Sequence, residues 1–327
     1  MYQLLILGIA KKRGLDNSVL LFDPLRRHCR PCPLTTHRVF FAMSSYPAFF
    51  ASPQRAHASP WLLLGWGVLL CLAAALLPAL PQAAHYHDFA DARTLMGIPY
   101  AMDVLSNLPL LLAGLAIAWQ LRRFAHTSAQ PLPMWGWLLA LAALGFAVTA
   151  LASSIYHWQP DDAGVFWDRL AMGVIFAAVI GLAVGQIYGA LTAATAALLT
   201  LAAAVLALWI WRKTGNFTPW IVLQAGGMLL LLAIACQPRH SPLRQAAVPL
   251  LPLGALIAWY SLAKLAELGD HGVFAVTAGL LSGHSLKHIL AALAAWPLLQ
   301  MLYNAQADLA EPFSVRLAGP AHPCRSV

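Results

Sequence analysis

The sequence predicts an all-α, polytopic membrane protein built as a helix bundle. Two observations support this fold class. Of the 327 residues, 60% are hydrophobic and only 10% are charged, whereas an ordinary soluble domain carries about 25% charged residues. Apolar runs of about 20 residues, the length that crosses a bilayer as a helix, recur along the chain. A soluble enzyme, a disordered chain and a disulfide-stabilised scaffold are therefore disfavoured.

The N-terminal segment differs from the rest of the chain. Residues 1–42 contribute +5 of the net charge of +8, and arginine, proline and short apolar patches alternate there without a sustained period. We predict a basic, disordered tail over residues 1–59, of which residues 1–42 resemble an extended reading frame with Met43 as an alternative start. The CxxC spacing of Cys29 and Cys32 leaves a small zinc knuckle as the alternative.

Eight apolar segments within residues 60–303 are predicted to form membrane-spanning helices. They are Trp61–Leu80, Val104–Leu121, Trp135–Trp158, Val165–Tyr188, Ala190–Trp211, Pro219–Cys236, Ala246–Leu268 and Phe274–Tyr303. Cys71 and Cys236 lie within these segments and are expected to be small core residues. Residues 304–327 are expected to form a C-terminal tail.

The distribution of basic residues predicts the orientation. One side of the membrane collects most of the arginines that flank the spans, including Arg122, Arg123 and Arg244, whereas Arg212 and Lys213 lie on the opposite side. The positive-inside rule places the arginine-rich side and both termini in the cytoplasm. The basicity is thus a topology signal, and no nucleic-acid partner is expected. The Ala- and Leu-rich spans suggest a bacterial inner membrane; the oligomeric state is left open.

Ionisable residues inside spans are costly and indicate a functional site. Ser153 and His157 lie four residues apart at the end of the third span, and Asp168 lies near the start of the fourth. The topology places this group near the non-cytoplasmic ends of adjacent helices. His284 and His288, in the last span, share a helix face and can chelate one metal ion.

The depth of that histidine pair depends on where the last helix begins. A start at Phe274 places the pair 10–14 residues along the helix, or about 15–21 Å from its entry. Three histidines and a carboxylate have the composition of a catalytic zinc site with an open water position.

Each feature also has a structural interpretation. The two histidines of the last span can instead ligate haem or make interhelical hydrogen bonds. Ser153 can be a packing residue, and Asp168 can form an ion pair with Arg169 at a helix start. Lys264 and Glu267, three residues apart, can be a structural pair, and Lys287 has no assigned role.

The motifs Ser153-x-x-x-His157, Asp168 in the next span and His284-x-x-x-His288 in the last span resemble the alkaline ceramidase family. More broadly, they resemble the superfamily that joins these enzymes with progestin/adipoQ receptors and haemolysin III-like proteins. Two further stretches resemble the family, Tyr86-His87-Asp88-Phe89-Ala90-Asp91 and Asp103-Val104-Leu105-Ser106-Asn107-Leu108-Pro109. The resemblance covers residues 86–303 and implies a seven-helix core, with one additional helix before it.

The resemblance implies a zinc ion held by His157, His284 and His288, with Asp168 and Ser153 as catalytic residues. It implies hydrolysis of the amide bond of ceramide-like N-acyl lipids from the membrane, and thus a part in sphingolipid metabolism. Zinc-activated water would attack the amide carbonyl, with Asp168 as base and then acid and Ser153 at the oxyanion or the water.

Calcium is doubtful. Eukaryotic ceramidases bind it through an acidic cluster, whereas this chain offers Asp88, Asp91 and Asp103 at a different spacing. A non-catalytic receptor or a haemolysin III-like membrane protein on the same scaffold is the alternative function. The presence of Asp168 and Ser153 favours a hydrolase, because a structural zinc site does not need them.

Overall fold

The computed structural model describes residues 59–128, 130–238, 241–245 and 247–310. These residues belong to one compact unit of the chain, Pro53–Val327. The predicted disordered tail up to residue 58, the alternative start at Met43 and the Cys29–Cys32 pair lie outside the described residues. Residues 311–327 of the predicted C-terminal tail also lie outside them.

Eleven α-helices and no strand make up the described part of the chain. They are α1 Pro60–Leu76, α2 Ala101–Leu105, α3 Leu108–Thr127, α4 Met134–Trp158, α5 Asp162–Tyr188, α6 Ala190–Thr214, α7 Thr218–Ala235, α8 Leu253–Leu268, α9 Asp270–Val276, α10 Gly283–Leu293 and α11 Trp296–Ala310. The prediction of an all-α polytopic bundle is confirmed.

Six helical stretches in the described residues are long and apolar enough to cross a membrane. They are α2 with α3, α4, α5, α6, α7, and α10 with α11. Helix α8, with 16 residues, packs against α10 and is the remaining member of a seven-helix core. The shorter α1, with 17 residues, precedes this core and packs against α7.

Prolines shorten two of the predicted spans. Helix α1 ends at Leu76, two residues before Pro78, and α8 begins at Leu253, directly after Pro252. Proline has no backbone N–H, and it disfavours the helical conformation of the residue before it. Hydropathy does not register this effect, so the sequence placed both boundaries too far out.

The last predicted span is not one continuous helix, and this corrects the expected depth of the histidine pair. Helix α9 ends at Val276, and the chain turns before α10 begins at Gly283. Gly279 has a left-handed φ of 76°, and its N–H donates to the carbonyl of Phe274 over 2.8 Å, which closes the helix end. The histidines therefore lie in the first two turns of α10. The final helix, α11, continues past the predicted boundary at residue 303.

The outer surface of the bundle is apolar. Leu191 and Ile155 keep 81% and 70% of their surface exposed, as expected for side chains that face lipid. Cys71 and Cys236 are also exposed, so their predicted place in the core is wrong. Exposed apolar helix faces carry the same residue types as the core in a membrane protein, and composition alone cannot separate the two.

One end of the bundle gathers several helix termini. The C-terminal end of α4 and the N-terminal end of α5 meet there through a short turn. The Asp161 carboxylate caps α5 by accepting a hydrogen bond from the Gly164 N–H over 2.6 Å, as is usual for an N-cap aspartate. The starts of α2 and α10 contact α4 and α8 at this same end, which carries the candidate site.

Candidate metal centre

Three buried histidines converge at this end of the bundle. His157 is the penultimate residue of α4, and His284 and His288 are the second and sixth residues of α10. The Nε2 atoms of His157 and His284 are 3.1 Å apart, and one ligand nitrogen from each histidine lies within 4.8 Å of the others. The structure thus brings together the three side chains that the sequence proposes as metal ligands, and the cluster can bind a metal ion.

The distance between two of these nitrogens suits a tetrahedral ion. Zinc–nitrogen bonds of about 2.0–2.1 Å place neighbouring ligand nitrogens about 3.3 Å apart, close to the 3.1 Å between His157 and His284. The imidazole rings contact one another edge to face, with centroids 4.7–5.1 Å apart. Rings packed in this way leave no space for a porphyrin between them, so the haem alternative does not fit.

The hydrogen-bond partners of His288 indicate which of its ring nitrogens carries the proton. The Ser106 hydroxyl donates to the Asp103 carbonyl over 3.1 Å, so it acts as the acceptor for His288 Nδ1, 2.8 Å away. The proton then resides on Nδ1, and the lone pair on Nε2 faces the other histidines. Metal-binding histidines are commonly fixed by such a hydrogen bond to the second ring nitrogen.

A helix break places Ser106 in that position. Helix α2 ends at Leu105 and α3 begins at Leu108, because Pro109 lacks the N–H that a continuous helix needs. The side chain of Asn107 donates to the Asp103 carbonyl over 2.9 Å, so the broken turn keeps its carbonyl satisfied. The Asp103–Pro109 stretch thus contributes to the candidate site through the positioning of His288.

Two carboxylates, those of Asp103 and Asp270, fix the start of α10, a role that the sequence did not indicate for either. Asp103 accepts hydrogen bonds from the hydroxyls of Ser282 and Ser285 over 3.1 and 2.6 Å. Asp270 accepts from the backbone N–H of His284 over 2.8 Å. Ser282 also caps α10, and a serine just before the histidine pair was the one local signal for this arrangement.

A close approach between the backbones of α8 and α10 also fixes the start of α10. A Cβ atom on Gly283 would lie 2.2 Å from the carbonyl oxygen of Ala266, so only glycine allows the start of α10 to touch the end of α8. This contact brings His284 close to the carboxyl-terminal turn of α8.

Two of the three acidic residues weighed for calcium, Asp91 and Asp103, have other partners. Asp91 accepts from the Arg93 guanidinium over 2.7 and 2.5 Å. Burial raises the pKa of the Asp91 carboxyl, but the hydrogen bonds and charge of Arg93 outweigh it and lower the pKa overall. Asp103 is engaged by the two serines of α10.

The two predicted catalytic side chains lie beside His288. The Ser153 hydroxyl is 3.4 Å from His288 Nε2, and Ser153, Asp168 and His288 line one cavity. Asp168 is 5% exposed, and within the described residues its Oδ1 atom has no hydrogen-bond partner. A buried carboxylate oxygen without a partner is costly. Asp168 therefore has a free acceptor for a ligand, a water or a proton.

Arg169 does not form the ion pair with Asp168 that the sequence left open. Its guanidinium lies over the rings of Tyr86, Trp211 and Phe217, at 4.2–4.9 Å. It also donates to Gln82 over 2.6 Å. Cation–π contacts of this kind stabilise a buried cation, so Arg169 acts in packing and leaves Asp168 available.

The cavity is apolar along most of its length, with a volume of about 140 Å³. Its apolar walls include Phe146, Phe176, Val179, Trp220 and Leu231. Its polar end is formed by Ser153, Asp168, Lys264, Glu267, Lys287 and His288. A ligand with an apolar chain and a polar group matches this division.

The segment between α1 and α2 covers the histidines. The Phe89 ring packs edge-on against His157 and His284, with centroids 4.7 and 4.6 Å away. In the same segment, His87 Nδ1 is 2.8 Å from the hydroxyl of Tyr156. Phe89 shields the cluster from water, a role that no sequence pattern indicated.

The fold and the site define a class: a polytopic α-helical membrane protein with a buried three-histidine centre at one end of its bundle. Comparisons of the chain with protein-family models, curated proteins and solved structures found no match. The resemblance to alkaline ceramidases therefore depends on the sequence motifs. The evidence on function comes from the geometry of the three-histidine centre and its cavity.

Proposed function

We propose that this chain is a zinc-dependent amide hydrolase of ceramide-like N-acyl lipids, related to the alkaline ceramidases. One observation carries the proposal. The Asp168 carboxylate, with one oxygen unpartnered, and the hydroxyl of Ser153 lie with His288 at the polar end of an apolar cavity. A site that used zinc only for stability would need neither group.

In this proposal His157, His284 and His288 hold the zinc ion. Bound zinc supplies Lewis acidity, which polarises a carbonyl oxygen and lowers the pKa of a coordinated water. Asp168 accepts a proton from the attacking water and delivers it to the amine as the carbon–nitrogen bond breaks. Ser153 donates a hydrogen bond to the oxygen on which negative charge develops. The products are a fatty acid and an amine.

The remaining structure supports the binding of a lipid. The apolar walls of the cavity suit the part of an acyl chain next to the amide, and each CH₂ buried there provides binding free energy of about 0.8 kcal/mol. Phe89 packs against His157 and His284 and excludes water from them, which strengthens electrostatic interactions at the reacting bond.

We further propose that the site faces the non-cytoplasmic side of a bacterial inner membrane. Arg122 and Arg123 lie near the C-terminal end of α3, whereas the start of this helix adjoins the histidines. The positive-inside rule places the arginines in the cytoplasm, and thus the histidines at the other surface.

Replacement of Asp168 by asparagine tests the catalytic role. We expect Asp168→Asn to lose about 10²–10⁴-fold in the rate of N-acyl lipid hydrolysis and to keep the zinc content of the wild type, because Asp168 is not a ligand. Zinc is measured by mass spectrometry of the purified protein, and fatty-acid release is measured in detergent micelles. The matched control is Asp162→Asn, an exposed aspartate at the start of the same helix.

Full activity of Asp168→Asn would contradict the assigned mechanism. Wild-type protein that holds zinc but hydrolyses no member of a broad N-acyl lipid panel would contradict the enzyme itself. That second result would favour the receptor or haemolysin III-like alternative.

A further inference from the structure

Three charged side chains next to the histidines have no part in the proposed mechanism. Lys264 and Glu267 lie on α8 and Lys287 on α10. Lys287 Nζ is 3.1 Å from Glu267 Oε1, and Lys264 Nζ contacts the other oxygen of Glu267. The pair that the sequence left as a structural i, i+3 contact is therefore a cluster of three charges, joined across two helices.

The cluster carries an excess of positive charge. Two ammonium groups share the one carboxylate of Glu267, and among the described residues neither lysine forms an ion pair with Asp168. The side chain of Lys287 is only 12% exposed. A buried charge is stable only when an opposite charge or hydrogen bonds compensate it, so an additional anion at this place is favoured.

Metal binding at the histidines would increase the need of Lys287 for an anionic partner. Lys287 Nζ is also 2.9 Å from His284 Nε2, but a neutral imidazole nitrogen has one lone pair and cannot both ligate a metal and accept from an ammonium. When Nε2 is a ligand, Lys287 loses that acceptor. Its N–H groups then need another partner, and the side chain already lines the cavity.

We propose that Lys264 and Lys287, held by Glu267, bind the carboxylate of an N-acyl amino acid. The lysines line the same cavity as Ser153 and Asp168, and Lys287 reaches His284, so the anion must lie close to the scissile amide. A carboxylate on the carbon next to the amide nitrogen meets this requirement, whereas a neutral ceramide headgroup offers the two ammonium groups no anion. This inference rests on the proposed amide hydrolysis and narrows its substrate class.

A matched set of substrates tests the inference. N-palmitoylglycine carries the carboxylate, N-palmitoylethanolamine is neutral and similar in size, and its O-phosphate places an anion farther from the amide. We expect the wild type to favour N-palmitoylglycine in kcat/KM. Lys264→Gln should lower that value about tenfold, mainly through KM, and so bring the ratio of kcat/KM for N-palmitoylglycine to that for N-palmitoylethanolamine down from its wild-type value.

Two controls separate charge from folding. Lys264→Arg keeps the positive charge and should keep the preference, whereas Lys213→Gln removes an exposed charge at the end of α6 and should change nothing. The side chain of Lys264 is 42% exposed, and the thermal unfolding midpoint of each variant reports on its integrity. If Lys264→Gln does not fold, the comparison of substrates on the wild type and on Lys264→Arg decides the question.

Direct binding separates this inference from the proposed function. Radiolabelled N-palmitoylglycine is bound to purified protein before and after removal of metal by a chelator. Preferential binding that Lys264→Gln weakens supports the anion site even if no lipid is hydrolysed. Hydrolysis with equal or better use of the neutral lipid would overturn the inference and leave the proposed function intact. A preference for the phosphate would overturn the carboxylate assignment.

Discussion

At the end of the bundle opposite the histidines, Gln120 of α3 donates a hydrogen bond to Gln306 of α11 over 2.6 Å. The side-chain amide of Gln306 in turn donates to the backbone carbonyl of Gln120 over 3.3 Å. The histidine end also buries polar groups from distant parts of the chain, but Asp168 Oδ1 has no partner there and two lysines share one carboxylate. Both ends use buried polar groups, but the Gln120–Gln306 pair is hydrogen-bonded, whereas Asp168 and the two lysines are incompletely paired and line a cavity.

This difference distinguishes polar groups that stabilise the bundle from polar groups that are available to a ligand. A neutral amide pair that satisfies itself links two helices and offers nothing to a ligand. Buried groups that lack partners persist only where binding or chemistry compensates for them. The comparison therefore predicts large effects on metal binding or turnover at the histidine end and small effects on stability at the glutamine end.

Ser106→Ala is expected to give the larger effect. It removes the acceptor of His288 Nδ1 and leaves the ring free to rotate, so zinc affinity should fall about 10–100-fold. Competition with a fluorescent chelator measures this affinity. Ser128→Ala, at the distal end of the helix that follows Ser106, is the control and should bind zinc as the wild type does. Unchanged affinity of Ser106→Ala would show that the hydrogen bond does not orient the ligand.

Gln120→Leu is expected to give the smaller effect. Loss of an interhelical hydrogen bond should destabilise the bundle by about 1 kcal/mol and leave zinc content and hydrolysis unchanged. The double variant Gln120→Leu, Gln306→Leu should recover part of the loss, because no amide is then left without its partner. Unfolding in detergent measures the free energy of unfolding of the single and the double variant. A loss of hydrolysis in the single variant would contradict the separation of the two ends.

Local sequence pattern predicted the helices and the three histidines that the structure brings together. Hydropathy located the spans, and the four-residue spacing of His284 and His288 on one helix face is a local property that survives folding. The ends of the spans were less predictable, because Pro78 and Pro252 end or begin helices inside apolar runs.

The supporting residues were not predictable, because their contacts join distant parts of the chain. Ser106 meets His288 across 182 positions, and Asp103 meets Ser282 across 179. Lys287 and Glu267 also lie on different helices, and the turn at Gly279 brings them together. Spacing along one helix carries no information about such pairs, and they follow only from the packing of α10 against α2 and α8.

The metal content of His284→Ala tests the central claim most directly. We expect about one zinc ion per wild-type chain and little zinc in His284→Ala. His271→Ala, which removes an exposed histidine of the preceding helix α9, should retain the wild-type amount. Mass spectrometry of the three purified proteins, dialysed against the same zinc-containing buffer, gives the answer. Equal zinc in His284→Ala and wild type would contradict the three-histidine centre.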